Sequence, residues 1–254
     1  MENFDFYISS NGYLVIPSLD IRYLINFSES NIPSMPEAAE ATVRAAGRDG
    51  DISLKTTYEP ISFTIVCYTE DNLPIENKRI EELKINKFLN SIKNKTKTLA
   101  FERDNKFYNV KYSGALTTEN YPAFLKFSIP LKSSSSYANK IPQNIITGNG
   151  IKNSDTVEEV GAVFTINGPA SNPIISLNDY SMEYESNIAS GARIEINSNN
   201  STVIHINAEG IKVNVMKFYN HQFPKIQNGN NQLKVLSGID NENQVNVKWY
   251  DLTL

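Results

Sequence analysis

Residues 192–215 run Ala192-Arg193-Ile194-Glu195-Ile196, Asn197-Ser198-Asn199-Asn200-Ser201, Thr202-Val203-Ile204-His205-Ile206, Asn207-Ala208-Glu209, and Gly210-Ile211-Lys212-Val213-Asn214-Val215. Short runs rich in β-branched residues alternate with turns of Asn, Ser and Gly. No run is long enough for a helix, and the turn residues are those that accept tight reversals. The same texture recurs on both sides. Strands are expected at 160–166, 174–177, 181–184, 232–236 and 245–250, which makes about eight within roughly 100 residues. Two sheets covering each other's apolar faces, a β-sandwich, is the expected architecture.

Composition carries this reading to the whole chain of 254 residues, which holds 32 Asn together with 13 Tyr and 12 Phe. Asn weakens helix interiors and favours turns, so the fold class is mainly β. The 40% hydrophobic content is enough for packed cores. A single cysteine, Cys67, rules out an internal disulfide framework and a Cys-based zinc site. The N-terminus has no basic region followed by an apolar core, and no apolar run is long enough to span a bilayer. A soluble protein of a reducing compartment, without membrane contact, is expected.

Toward the N-terminus the pattern changes. A hairpin is expected over Phe4–Ile16, turning at Ser10-Asn11-Gly12. Residues 31–50 do not read as strand, and Glu37–Ala41 reads as a short helix or a mobile loop. Strands follow at 52–58, 61–69, 98–101, 108–113 and 124–131. Between them, Ile85, Phe88, Leu89 and Ile92 fall at i, i+3, i+4 and i+7 and predict a helix over 77–94. A sheet carrying one helix gives an α+β domain over 1–132. Ser133-Ser134-Ser135-Ser136 opens a stretch to Asp155 without periodicity, read as a linker, and the sandwich occupies 156–254. Residues 1–132 hold 16 basic and 17 acidic side chains, and the remainder 8 and 11, so the net charge of −4 divides as −1 and −3. Neither half is a basic nucleic-acid-binding module.

Candidate chemistry is sparse. Gly148-Asn149-Gly150 lacks the third glycine and following helix of a phosphate loop. His205 lies mid-strand and His221 in a loop, neither with catalytic partners nearby. Asp240-Asn241-Glu242-Asn243 resembles half a calcium loop without its glycine or closing glutamate, and reads better as a polar turn. Asp179, Glu183 and Glu185 offer glycosidase-like spacings without a defined pair. Lys84, Lys87, Lys93, Lys95 and Lys97 read as a solvated helix face. No catalytic residue, cofactor site or metal site is expected, and the chain does not read as an enzyme. A carbohydrate-binding sandwich, with Tyr180, Tyr184, Tyr219 and Trp249 as stacking candidates, is the alternative function.

Two motifs give these halves a context. Gly47-Arg48-Asp49-Gly50, followed by Tyr58-x-Pro60 and an apolar strand, resembles the N-terminal domain of the distal tail protein family of long-tailed bacteriophages. Phe223-Pro224-x-Ile226-x-x-Gly229-x-Asn231-x-Leu233, followed by the closing strand with Trp249, is similar to the end of that family. The resemblance implies a tail-tube-like domain (a β-sandwich with one helix) at 1–132 and a galectin-like β-sandwich at 156–254. It also implies a structural hub of the tail tip or baseplate, a hexameric ring joining the tail tube to the receptor-binding apparatus and leaving a channel for DNA ejection. Implied partners are further copies of the chain, the tail tube protein, the tail-tip or tail-associated lysin protein and a receptor-binding protein, with no sequence-specific nucleic acid. Implied localisation is the virion, after assembly in the bacterial host cytoplasm. Without a large insertion in the C-terminal part, direct receptor binding is not expected. The 31–46 loop is expected to contribute to the ring.

Overall fold

The computed structural model describes residues 4–44, 51–69, 74–219 and 223–254. The chain divides into two compact units, Met1–Asn139 with Leu254, and Lys140–Thr253.

Unit 1 holds β1 (Phe6–Ile8), β2 (Tyr13–Ile16), β3 (Ile21–Ile25), β4 (Ala38–Arg44), β5 (Asp51–Tyr58), β6 (Ser62–Tyr68), α1 (Ile75–Ile92), β7 (Lys97–Phe101), β8 (Lys106–Tyr112), β9 (Thr117–Asn120), β10 (Leu125–Ser133) and β11 (Ala138–Lys140). The main sheet runs β11-β8-β7-β1-β2-β3-β6-β10-β9, and β10 also pairs with β8, Leu131 lying opposite Tyr112. That extra pairing closes seven strands, β8-β7-β1-β2-β3-β6-β10, on themselves. The expected sandwich is therefore a barrel in this unit. The cause is β10, whose nine residues alternate buried and half-exposed almost throughout and pair with β6 along most of their length, with β9 over Leu125–Ser128 and with β8 over Leu131–Ser133. Closure satisfies the backbone groups that an open sheet leaves at its edges. Phe6, Leu14, Tyr23, Phe63, Cys67, Leu99, Tyr108 and Phe127 fill the core.

The helix α1 forms as its spacing predicts. Ile85, Phe88, Leu89 and Ile92 are buried, and Phe88 meets Phe6 of β1 edge-on at 5.5 Å. Lys93 closes the last turn by donating to the Leu89 carbonyl, and Asn94, at φ 60°, leads the chain out of the helix. β4 and β5 pair with each other and, among the described residues, with no other strand. Glu37–Ala41, expected as helix or loop, is thus mostly the start of β4. Helix propensity in a short alanine-rich run loses to pairing with the partner strand. β3, absent from the sequence reading, alternates Ile21, Tyr23 and Ile25 toward the core.

Unit 2 holds β12 (Asn144–Thr147), β13 (Gly150–Ser154), β14 (Val160–Gly161), β15 (Val163–Asn167), β16 (Ala170–Leu177), β17 (Tyr180–Glu183), β18 (Asn187–Ile188), β19 (Arg193–Asn197), β20 (Thr202–Ile206), β21 (Lys212–Asn214), β22 (Lys225–Ile226), β23 (Gly229–Ile239) and β24 (Val245–Trp249). One sheet runs β12-β24-β15-β19-β20-β21 and a second β13-β23-β16-β17, with β18 on β16 and a separate β14–β22 pair. Phe164, Ile194, Ile196, Val247 and Trp249 of the first share one core with Ile175, Leu177, Met182 and Leu233 of the second. This is the two-sheet packing that the turn spacing predicted.

The stretch 133–155 is not a structureless linker, since it contains β11, β12 and β13. Its serines are tied down one by one. The Ser133 hydroxyl accepts from the Ile61 N–H at 2.8 Å, the Ser134 hydroxyl donates to the Asn109 carbonyl at 3.0 Å, and the Ser136 hydroxyl donates to the Tyr58 carbonyl. Serine's short polar side chain substitutes for missing ladder bonds, a role that composition alone does not distinguish from flexibility.

Candidate interaction site

The C-terminal motif is a turn organised by one buried amide. Asn231 is fully buried at the start of β23. Its Nδ2 donates to the Gln227 carbonyl at 2.8 Å and the Gly229 carbonyl at 3.0 Å, while its Oδ1 accepts from the Gln227 N–H at 3.0 Å. Oδ1 also faces Asn178 Nδ2 at 3.3 Å. A single side chain thereby satisfies three backbone groups of a loop that cannot form a ladder. Gly229 sits at φ 94°, a left-handed conformation costly for residues with a Cβ. Pro224 and Ile226 are buried, and Phe223 leans on Tyr219 at 5.1 Å. Trp249 is buried on β24, and its Nε1 donates to Asp251 Oδ1 at 2.9 Å, where the Ser154 hydroxyl also donates. The buried carboxylate is held by two donors, which offsets part of its desolvation.

The N-terminal motif is only partly visible. Gly47, Arg48, Asp49 and Gly50 lie outside the described residues. Tyr58 ends β5 and meets Tyr137 edge-on at 6.3 Å. Pro60 delivers the chain to buried Ile61 and then to β6. At the base of the β4–β5 hairpin, the Glu59 N–H donates to the Glu37 carbonyl at 2.9 Å, so the two chain ends of the hairpin leave the barrel side by side.

The chemical candidates resolve into structural roles. Asn241 caps the turn after it, its Oδ1 accepting from the Asn243 N–H at 3.0 Å, while Gln244 Oε1 accepts from the Asn241 N–H at 3.0 Å. Glu242 takes a hydrogen bond from Asn149. Among the described residues no group of three or more His, Cys, Asp and Glu converges on a metal position. His205 is half-buried opposite Val213 on β20, and His221 lies outside the described residues. Cys67 is fully buried, and burial pushes its thiol well above the ordinary range. Asp179 lies in the turn before β17, Glu183 ends that strand, and Glu185 follows it, its N–H donating to the Phe218 carbonyl at 2.8 Å. Lys84 pairs with Glu81 at 2.6 Å and Lys97 with Asp5 at 2.7 Å, so the lysine run is partly neutralised. A cleft of ≈ 270 Å³ between β3 and α1 is lined by Arg22, Tyr23, Glu81 and Lys84. Glu81 is committed there to Lys84 and to the Tyr23 hydroxyl at 3.0 Å.

Of the four stacking candidates, Trp249 and Tyr184 are buried and Tyr219 is packed against Phe223. Tyr180 alone is exposed, beside a shallow cleft of ≈ 130 Å³ that it lines with Glu159, Phe223, Lys225 and Gln227.

On the outside of the barrel, Lys126 bridges Glu29 at 2.6 Å and Glu119 at 3.5 Å, and the Tyr68 hydroxyl donates to Glu29 at 3.1 Å. The hydrogen bond from Lys126 holds the Glu29 carboxyl below its ordinary range. Sequence reasoning missed this network because its members come from β6, β9, β10 and the turn after β3, far apart along the chain. It also missed the exposed apolar side chains Leu24 and Phe27 of the β3 region and Ile80 and Leu83 of α1.

Residues 18–133 match the family described as phage tail protein RIFT-related domain. A comparison with curated proteins finds no match. Among solved structures, the chain is similar to Dit of phage SPP1, described as a paradigm of the hub adsorption apparatus in Gram-positive infecting phages. The TM-score is 0.68 at 11% identity, over 91% of this chain and 94% of that one. It is also similar to a chain of the phage P2 baseplate in its activated conformation with Ca, at TM-score 0.57 and 9% identity, over 97% and 95% of the two chains. The same baseplate with Sr gives 0.59 at 9% identity over the same shares. The sequence resemblance is met on both counts, by a phage-tail domain family across most of unit 1 and by a Dit-like fold across both units.

Proposed function

We propose that the chain is a distal tail protein of a long-tailed phage, a non-catalytic hub at the tail tip or baseplate. The observation that carries this reading is the likeness to a Dit over 91% of the chain, through both units in order, joined to the phage-tail family match over 18–133. In this reading, unit 1 forms a hexameric ring that continues the tail tube and leaves a passage for DNA. Unit 2, a galectin-like sandwich, offers a platform to the tail-tip and receptor-binding proteins.

The physical features are consistent with such a ring. A ring needs a heterologous contact whose rotation closes. The barrel has used most of its own edges, so the contact falls to elements outside it, and the β4–β5 hairpin is the obvious one. A net charge of −4 suits a passage that must not retain phosphate by counterion release. The family motifs at Gly47–Gly50 and at Gly229–Asn231 are structural in this reading and bind no ligand.

Native mass spectrometry of the purified protein, with negative-stain images of the same sample, tests the proposal. Six-fold rings are expected. A protein that stays monomeric and associates with neither tube nor tip components overturns it. The carbohydrate-binding alternative rests on a single exposed aromatic, Tyr180, and a glycan array reads it directly.

A further inference from the structure

We propose that the open edge of β23 in unit 2 is a docking slot for an extended segment of a partner protein. The segment would carry apolar side chains at alternate positions and basic residues at one end.

The slot arises from the chain path. β13 pairs with β23 only from Ser154 opposite Gly229 to Gly150 opposite Leu233. Beyond that point the preceding residues leave the sheet, because Gly148 and Asn149 carry the chain across to β12 in the other sheet. β23 continues to Ile239, held on its other side by β16. From Lys234 to Ile239 its β13 side has no strand among the described residues. One side chain reaches in: Asn149 Oδ1 accepts from the Val235 N–H at 2.6 Å, marking the end of the native pairing.

Two shallow clefts follow this edge and adjoin at Asn149 and Val235. One, of ≈ 460 Å³, is lined by Ile151, Lys234 and Leu236 among others. The second, of ≈ 600 Å³, is lined by Ile239, Asp240, Asn241 and Glu242. Ile151 and Leu236 are both more than half exposed, an unusual use of large apolar side chains on neighbouring strands. An added strand of about six residues would take the place β13 vacates, displace Asn149 from the Val235 N–H, bond to the backbone edge up to the bend at Gly238 and cover these two side chains. The charges fix its polarity. Lys234 stands at one end, while Asp240 and Glu242 close the other, so the basic residues of the incoming strand belong at the Asp240 end.

This inference goes beyond the hub reading and does not rest on it, since it follows from the edge and its charges. A chain that failed to form rings would leave it standing. The test uses the full chain and a capped hexapeptide with Val at alternate positions, Thr between them and Lys at one end only (the Val/Lys peptide), with a version carrying Glu in place of Lys (the Val/Glu peptide) as control. Hydrogen exchange at residues 234–239 is the readout. Saturating Val/Lys peptide is expected to slow exchange there by about tenfold, and the Val/Glu peptide to leave it unchanged. Asp240→Lys is expected to weaken Val/Lys binding by about fivefold, and Leu236→Ser to weaken it as well. Unchanged protection of the β16–β23 amides would show both variants folded. The proposal is overturned if millimolar Val/Lys peptide gives no slowing, if both peptides act alike, or if Asp240→Lys has no effect. Slowing confined to β21, or protection that grows with protein concentration without peptide, also overturns it, the latter because a second copy would then fill the slot.

Discussion

The two units treat the edges of their sheets in opposite ways. Unit 1 bends its sheet until β10 meets β8, so ladder bonds replace what would have been two free edges. Unit 2 keeps two separate sheets, and among the described residues the strands that end them, β21 among them, and the far half of β23 have a strand on one side only. A closed barrel gains independence and loses the backbone as an adhesive, so its contacts must come from appended elements such as the β4–β5 hairpin. An open sandwich keeps that adhesive and must guard it. Here Asn149 caps one donor, and charges stand at both ends of the slot. The same contrast separates the two motifs. The core of the C-terminal one, Asn231 and Trp249, is buried and holds its own unit together, whereas the described part of the N-terminal one, Tyr58 and Pro60, lies where the β4–β5 pair rejoins the barrel.

If unit 2 depends on its motif in this way, removing the largest buried piece should be the most damaging change. Trp249→Ala is expected to cost about 3–5 kcal/mol and to expose residues after 140 to limited proteolysis, with the barrel still resistant. Equal loss of both units would break the comparison. Asn231→Ala leaves the Gln227 and Gly229 backbone groups without their partner. A cost of about 2–3 kcal/mol is expected in denaturant melts, and a loss below ~0.5 kcal/mol would show that water replaces the amide.

The hairpin should behave in the reverse manner. Replacing 39–57 by a short Gly-Ser turn between Ala38 and Tyr58, which keeps Tyr58 against Tyr137, is expected to change barrel stability by less than about 1 kcal/mol while abolishing ring formation in native mass spectra. Normal rings would remove the hairpin from the interface.

The smallest effect concerns how the first strand is pinned. Burial works to raise the Asp5 carboxyl, but Lys97 and the Thr98 backbone and hydroxyl donors outweigh it, leaving it below the ordinary value. Its contribution is therefore present above about pH 4, the unfolded value, and fades as pH falls through the lowered folded value. Asp5→Asn is expected to cost ~0.5 kcal/mol at pH 7 after solvent screening and less at about pH 3, below the unfolded value. Paired urea titrations at the two pH values check this.

What the sequence revealed follows the range of the forces involved. The α1 stripe, the Asn11-Gly12 hairpin and the sandwich strands are written in local periodicity and turn chemistry, and they were legible. Barrel closure was not, because it depends on Leu131 meeting Tyr112 across the sheet. The serines at 133–136 were misread since a hydroxyl bonded to a distant carbonyl has the same sequence as a flexible spacer. The motif residues Gly229 and Asn231 were recognisable as a turn. Only the coordinates show that Asn231 points inward and ties three backbone groups together. The β23 slot had no local signature at all, being defined by where β13 stops.

One coincidence of composition makes the two halves separately observable. The chain has one cysteine and one tryptophan. Cys67 lies at the centre of the barrel and Trp249 in the core of the sandwich, both shielded from water. Reaction of the thiol with a colorimetric reagent therefore clocks the opening of unit 1, while indole emission tracks unit 2. A wild-type sample carries both reporters without labelling, so whether the halves come apart together or in sequence can be read in one cuvette.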